Sequence, residues 1–176
     1  MEFTPLSRET VYQGRAFDVE RVQMCLPDGK QRLYDLVKHN DSVTIVPVNN
    51  DGNLLFVNQF RLGVGAGLLE LPAGVMSDQE EPETCAAREV REETGMAAGK
   101  LEFLGDFFLA PGYSTEHMYV YLATALYANA LDQDADEFLQ LEAIPVAKVY
   151  EMAASGQIHD AKTLAALMLA LPRLKP

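Results

Sequence analysis

The segment Gly74–Met96, GVMSDQEEPETCAAREVREETGM, constrains this chain more than any other. Pro82 suits the first turn of a helix and Gly95 suits its C-terminal stop. Between them Ala86, Ala87, Val90 and Thr94 recur at a period of 3.6, a stripe that asks for a sheet to cover it. Glu89 and Glu93 are four apart and Glu92 is three from Glu89, so carboxylates line a neighbouring face. Like charges at those spacings repel. A solvated acidic face tolerates that repulsion, and a site for a hard divalent cation needs it. Ionised glutamates are the oxygen donors that Mg²⁺ or Mn²⁺ takes, and Mg²⁺ keeps positions open for phosphate oxygens.

The rest of the chain limits the partners. It has 176 residues, 48% of them hydrophobic, and a formal charge of -12. Such a surface repels phosphate backbones, so nucleic acid is not the expected partner, and an anionic small substrate needs a cation to mediate. No apolar run reaches the length of a membrane span, and the N-terminus lacks a signal-peptide pattern. Cys25 and Cys85 have no metal-type spacing and read as reduced thiols of a cytoplasmic protein.

Strands dominate the first part. VYQGRAFDVERVQMCL and KQRLYDLVKH flank a Pro27-Asp28-Gly29 turn, and SVTIVPV and NLLFVNQFRL flank Asn49-Asn50-Asp51-Gly52, both hairpin signatures. GVGAGLL reads as a loop or a short strand. After Gly95 come strands LEFLGDFFLA and EHMYVYLATAL, then an acidic segment, DQDADEFLQLEAIP. VAKVYEMAASGQ and AKTLAALMLALPRL read as helices, with the Met and Leu residues of the second as core. The class is α+β. Residues 1–40 are expected to form a subregion of strands and 41–176 the main domain.

The opening segment has the pattern G-x5-E-x7-R-E-U-x-E-E-x-G-U, with U a bulky apolar residue. Gly74, Glu80, Arg88, Glu89, Val90, Glu92, Glu93, Gly95 and Met96 occupy its named places. It resembles the Nudix box without a departure, and a chance match is on the order of one in 10⁸ per start. The resemblance implies an α/β/α sandwich around a mixed β-sheet and hydrolysis of a nucleoside diphosphate linked to another moiety. It implies that Glu89, Glu92, Glu93 and the Ala73 carbonyl bind the metal, Mg²⁺ or Mn²⁺. Arg88 then holds a glutamate in place, and Gly74 and Gly95 shape the flanking loops.

Features outside the box resemble the ADP-ribose pyrophosphatase branch. They are Gln59-Phe60-Arg61, Glu70-Leu71-Pro72-Ala73-Gly74, Ala110-Pro111-Gly112 with Glu116, Asp136-Glu137-Phe138 and Asp160-Ala161-Lys162-Thr163. Ala110 stands where many members have serine. The branch implies cleavage of ADP-ribose to AMP and ribose 5-phosphate. Another nucleoside diphosphate sugar, such as GDP-mannose or ADP-glucose, is the alternative, and a non-catalytic sensor of ADP-ribose a third.

Glu137 matches the late-loop glutamate that serves as base, with Asp136 or Asp134 as substitutes and Glu92 or Glu93 as the other possibility. Arg61 is expected to fork onto a phosphate or the terminal ribose. Glu70 and Glu116 are expected to accept from ribose hydroxyls or to serve an outer metal. Phe17 and Tyr34 sit where the branch carries its base-stacking aromatics. The branch often swaps its N-terminal strands onto a partner, which implies a homodimer. His117 and His159 read as structural or exposed.

Overall fold

The computed structural model describes residues 2–132 and 138–174. Two compact units emerge, one holding the chain up to Asp41 together with Phe108–His117, the other Ser42–Phe107 and the chain from Met118 onward. Among the described residues no helix is long and apolar enough to cross a membrane.

The first unit is a three-stranded antiparallel sheet of β1 (Thr4–Gln13), β2 (Asp18–Cys25) and β3 (Gln31–Lys38) in that order. The run read as a single strand from Val11 to Leu26 is therefore two strands. The Gly14 amide donates to the Phe17 carbonyl (3.1 Å) and turns the chain between them. The Pro27-Asp28-Gly29 turn closes as expected, with Asp28 Oδ1 accepting from the Lys30 amide (3.1 Å). Segment 108–117 is pinned to β3 by the Val37 amide on the Tyr113 carbonyl (2.7 Å) and by Thr115 on both backbone groups of His39. The sheet leaves Leu6, Tyr12, Leu33 and Tyr34 exposed.

The second unit explains its own layering by alternation. Its sheets are β5 (Asn53–Arg61) between β10 (Gln140–Pro145) and β6 (Ala66–Glu70), and β7 (Ala73–Val75), β4 (Ser42–Pro47), β9 (His117–Ala128) and β8 (Met96–Phe108) in that order. β4 runs parallel to β9 and antiparallel to β7, so the sheet is mixed. Successive side chains of a strand point to opposite faces. Val43, Ile45, Tyr121 and Ala123 thus join the core under α1 (Pro82–Thr94). Val46, Leu54, Phe56, Val120 and Leu122 join the core under α2 (Val146–Ala154) and α3 (Ala161–Leu174). Two buried faces covered by helices make the expected α/β/α sandwich.

Three details depart from the expected elements. β4 and β5 lie in different sheets, with a Val48–Leu54 bridge around the Asn49–Asn53 turn. β8 starts at Met96, directly after the helix, rather than at Leu101. The acidic segment ends in a strand, β10, whose partner is β5.

Candidate active site

Helix α1 starts at Pro82 and ends where Gly95, at φ 72°, takes the left-handed conformation that suits glycine. Its buried stripe is Cys85, Ala86, Val90 and Thr94. Cys85 takes the place expected for Ala87, which is only half-buried. Burial also pushes the Cys85 thiol up to about 12, so it is an inert core group. The same geometry draws Glu89 and Glu93 inward, both buried, while Glu92 stays more open.

Arg88 organises the carboxylates. It forks onto Glu80 through Nε (3.0 Å) and Nη2 (3.1 Å), and its Nη1 reaches Glu89 Oε1 (2.6 Å) and Glu92 Oε2 (2.8 Å). One cation thus sets the direction of three acids at once. The Arg88 hydrogen bonds hold the Glu80 carboxyl at about 2, against an ordinary 4.5. Because the folded value lies below the unfolded one, this pair stabilises the fold fully above pH 4.5 and loses that contribution as pH falls toward 2. Glu80→Gln is therefore expected to flatten the fall of Tm across that acid window. A variant whose Tm falls as steeply as that of the parent contradicts the assignment.

The strand entering the box is held residue by residue. The Leu71 amide donates to Thr163 Oγ1 (2.9 Å). The Pro72 carbonyl accepts from the Ile45 amide (2.8 Å) and Thr44 Oγ1 (3.2 Å). The Ala73 amide donates to Glu93 Oε2 (3.2 Å). At Gly74 a Cβ would fall 1.8 Å from Glu89 Oε1, so glycine lets a buried carboxylate lie against the backbone. These constraints form a cavity of about 510 Å³ whose lining includes Gln59, Arg61, Ala73, Gly74, Arg88, Glu89 and Glu92.

The donor set fits a hard divalent cation in kind: glutamate oxygens on adjacent turns, a backbone carbonyl nearby and a cradle at Gly74 that a side chain would fill. Among the described residues no three acidic, histidine or cysteine side chains stand grouped as a preformed cation site. The reason is visible in the contacts. Arg88 takes Glu89 Oε1 and Glu92 Oε2, and the Ala73 amide takes Glu93 Oε2.

Glu70 ends β6 and is enclosed. It is 1% exposed, and its carboxylate accepts from Arg61 Nε (2.8 Å), Arg61 Nη2 (2.6 Å) and Lys162 Nζ. Burial would raise its pKa, yet the bonds from Arg61 and Lys162 hold it below the ordinary range. An acid so enclosed holds Arg61. Arg61 in turn forks onto Glu70 and still lines the cavity. Lys162, Thr163 and Gln59 were not among the expected site residues. Asp160 in an N-cap place was a readable signal for the capped helix start, since its carboxylate accepts from the Thr163 amide (3.0 Å).

Phe17, Tyr34 and Glu116 belong to the first unit. Tyr34 is on β3 opposite Val22 and lines an apolar cavity of about 300 Å³ with Phe3, Met24 and Leu36. Phe17 is in the turn before β2 rather than in a strand, beyond the Asp18–Lys38 pair and 6.4 Å from the Tyr12 ring. The two aromatics are about 17 Å apart along the strands at ~3.4 Å per residue, too far to flank one base within this unit. Glu116 is half-buried, and its amide donates to Ser114 Oγ (3.2 Å). His117 stacks on Phe108 (4.6 Å), a structural role, and His159 is exposed. Glu137, with Asp134 and Asp136, lies outside the described residues.

The sandwich and the Arg88-centred box define a class, and the comparison with known families agrees: the NUDIX domain matches residues 38–167. The chain belongs to the Nudix family. It is 32% identical to the ADP-ribose pyrophosphatase of Bacillus subtilis (strain 168), over 95% of this chain and 91% of that one. It is 34% identical to the ADP-ribose pyrophosphatase of Mycobacterium tuberculosis (strain ATCC 25618 / H37Rv), over 95% and 82%. A crystal structure of an ADP compounds hydrolase superposes with a TM-score of 0.89 at 30% identity, covering 99% of this chain and 95% of the other.

Proposed function

We propose that this protein hydrolyses the diphosphate of ADP-ribose to AMP and ribose 5-phosphate with the help of Mg²⁺ or Mn²⁺. The observation that carries the reading is the cavity in which Arg61, the Ala73 backbone and the Arg88-held Glu89 and Glu92 converge. The names of the relatives point to the same substrate. Glu89, Glu92, Glu93 and the Ala73 carbonyl would hold the cation, whose chemistry is to neutralise phosphate oxygens and acidify water.

The chain's own residues do the rest. Arg88 keeps Glu80 ionised and directs Glu80, Glu89 and Glu92. Arg61 has five N–H donors, two spent on Glu70, and offers the others to a phosphate. Glu137 takes the proton from the attacking water, with Glu92 or Glu93 as the alternative base. Tyr34 stacks the base, and Phe17 and Glu116 serve the nucleoside end. The N-terminal strands exchange with a second copy in a homodimer, a reading supported by exposed Leu6, Tyr12 and Leu33. Free Cys25 and Cys85 suit the cytoplasm.

The test is turnover of ADP-ribose, ADP-glucose and GDP-mannose with Mg²⁺ and with Mn²⁺. The expected result is the highest kcat/KM for ADP-ribose, abolished by chelation and restored by added cation. A preference for GDP-mannose overturns the substrate, and turnover that survives chelation overturns the role of the cation.

A further inference from the structure

The residues that enclose Glu70 come from opposite ends of the fold. Arg61 ends β5 and Glu70 ends β6, while Lys162 and Thr163 lie in the first turn of α3, 92 residues beyond Glu70 and Leu71 respectively. Lys162 is 8% exposed and donates to both Glu70 Oε2 and Asp160 Oδ2 (3.0 Å). Asp160 also accepts from Thr163 Oγ1 (2.6 Å), and Thr163 Oγ1 accepts from the Leu71 amide. The result is one hydrogen-bonded chain from α3 through Lys162 and Glu70 to Arg61 at the cavity.

Lys162 is an awkward choice for the fold alone. The first turn of a helix disfavours a cation, and burying an ammonium is costly. Apolar side chains in place of the whole Lys162–Glu70 pair would serve packing as well or better. What Lys162 supplies and an apolar side chain cannot is a second anchor for Glu70, whose other anchor is Arg61 itself. Without Lys162 the carboxylate is free to follow the arginine instead of fixing it.

We propose that Lys162 is a positioning residue: by pinning Glu70 it sets Arg61 in the cavity, with the unspent edge of the guanidinium turned to the substrate diphosphate. The proposal rests on the pyrophosphohydrolase reading, and two readouts separate the two. The first needs no activity. Exchange of the Arg61 Nε proton, followed by NMR, is expected to be at least about tenfold faster in Lys162→Met than in the parent, in protein whose spectrum shows the native fold. The second is kinetic. Lys162→Met is expected to raise KM about tenfold and leave kcat within about twofold, as Arg61→Ala does, and to add nothing to KM in the Arg61→Ala background.

Glu70→Gln is the second variant should Lys162→Met fold poorly; it keeps the side-chain shape and is expected to show the same pattern. Unchanged exchange of the Arg61 proton in the variants overturns the proposal. So does a KM increase that adds fully to that of Arg61→Ala, which is the mark of a general structural role. Failure of the parent to hydrolyse any nucleoside diphosphate sugar overturns the function and leaves the exchange measurement to decide the tether.

Discussion

Glu93→Gln is expected to lower kcat for ADP-ribose by about 10³-fold, ~4 kcal/mol of lost transition-state stabilisation, while Tm stays within a few degrees. Glu93 is 3% exposed and its Oε2 accepts from the Ala73 amide. A glutamine oxygen can accept the same bond, so the strand entering the box keeps its place. The charge is what disappears. Glu89, Glu92 and Glu93 crowd one face of α1, where like charges at helical spacing repel. Removing one of them relieves repulsion, so the fold does not suffer. Loss of activity without loss of stability separates a cation-holding carboxylate from a structural one. Near-parental kcat in a folded Glu93→Gln protein contradicts the assignment.

Gly74→Ala is the second large effect, expected at about 10²-fold or more in kcat/KM with only a small change in Tm. Gly74 has no left-handed backbone to explain it. What excludes a side chain is Glu89. The added Cβ would lie 1.8 Å from Oε1 and 1.9 Å from Cδ. The backbone is held by strand pairing to Val43, so the glutamate must give way. Moving it breaks the 2.6 Å bond from Arg88 and takes an oxygen donor out of the cavity. The displaced side chain can turn toward solvent, which is why stability changes little. A Gly74→Ala protein with activity within a few-fold of the parent shows that the buried position of Glu89 is not what the reaction uses.

Much of this was legible from local chemistry. Pro82 and Gly95 bracket α1 because the missing N–H of proline and the left-handed freedom of glycine act within a single turn. The near-continuous apolar runs of β4, β5 and β9 were visible as strands because both faces are buried. The parts that stayed hidden depend on distant partners. β10 is an edge strand whose side chains are mostly exposed, and only its pairing with β5 makes it a strand. The turn at Gly14 interrupts a run whose residue types suit a strand on both sides. Glu70 reads in sequence as an acid at a strand end. Nothing local reveals that Lys162 closes over it and that Arg61 is spent partly on holding it. The same holds for Cys85, which helical spacing alone did not rank above Ala87 as a core residue.

The central claim is that the glutamates of α1 hold divalent cations beside Arg61 and the Ala73 backbone. Titration of the metal-free protein with Mn²⁺, read by electron paramagnetic resonance, tests it most directly. Saturable binding by the parent and at least about tenfold weaker binding by the folded Glu89→Gln/Glu93→Gln variant is the predicted result. Equal Mn²⁺ affinity in the two proteins would contradict it.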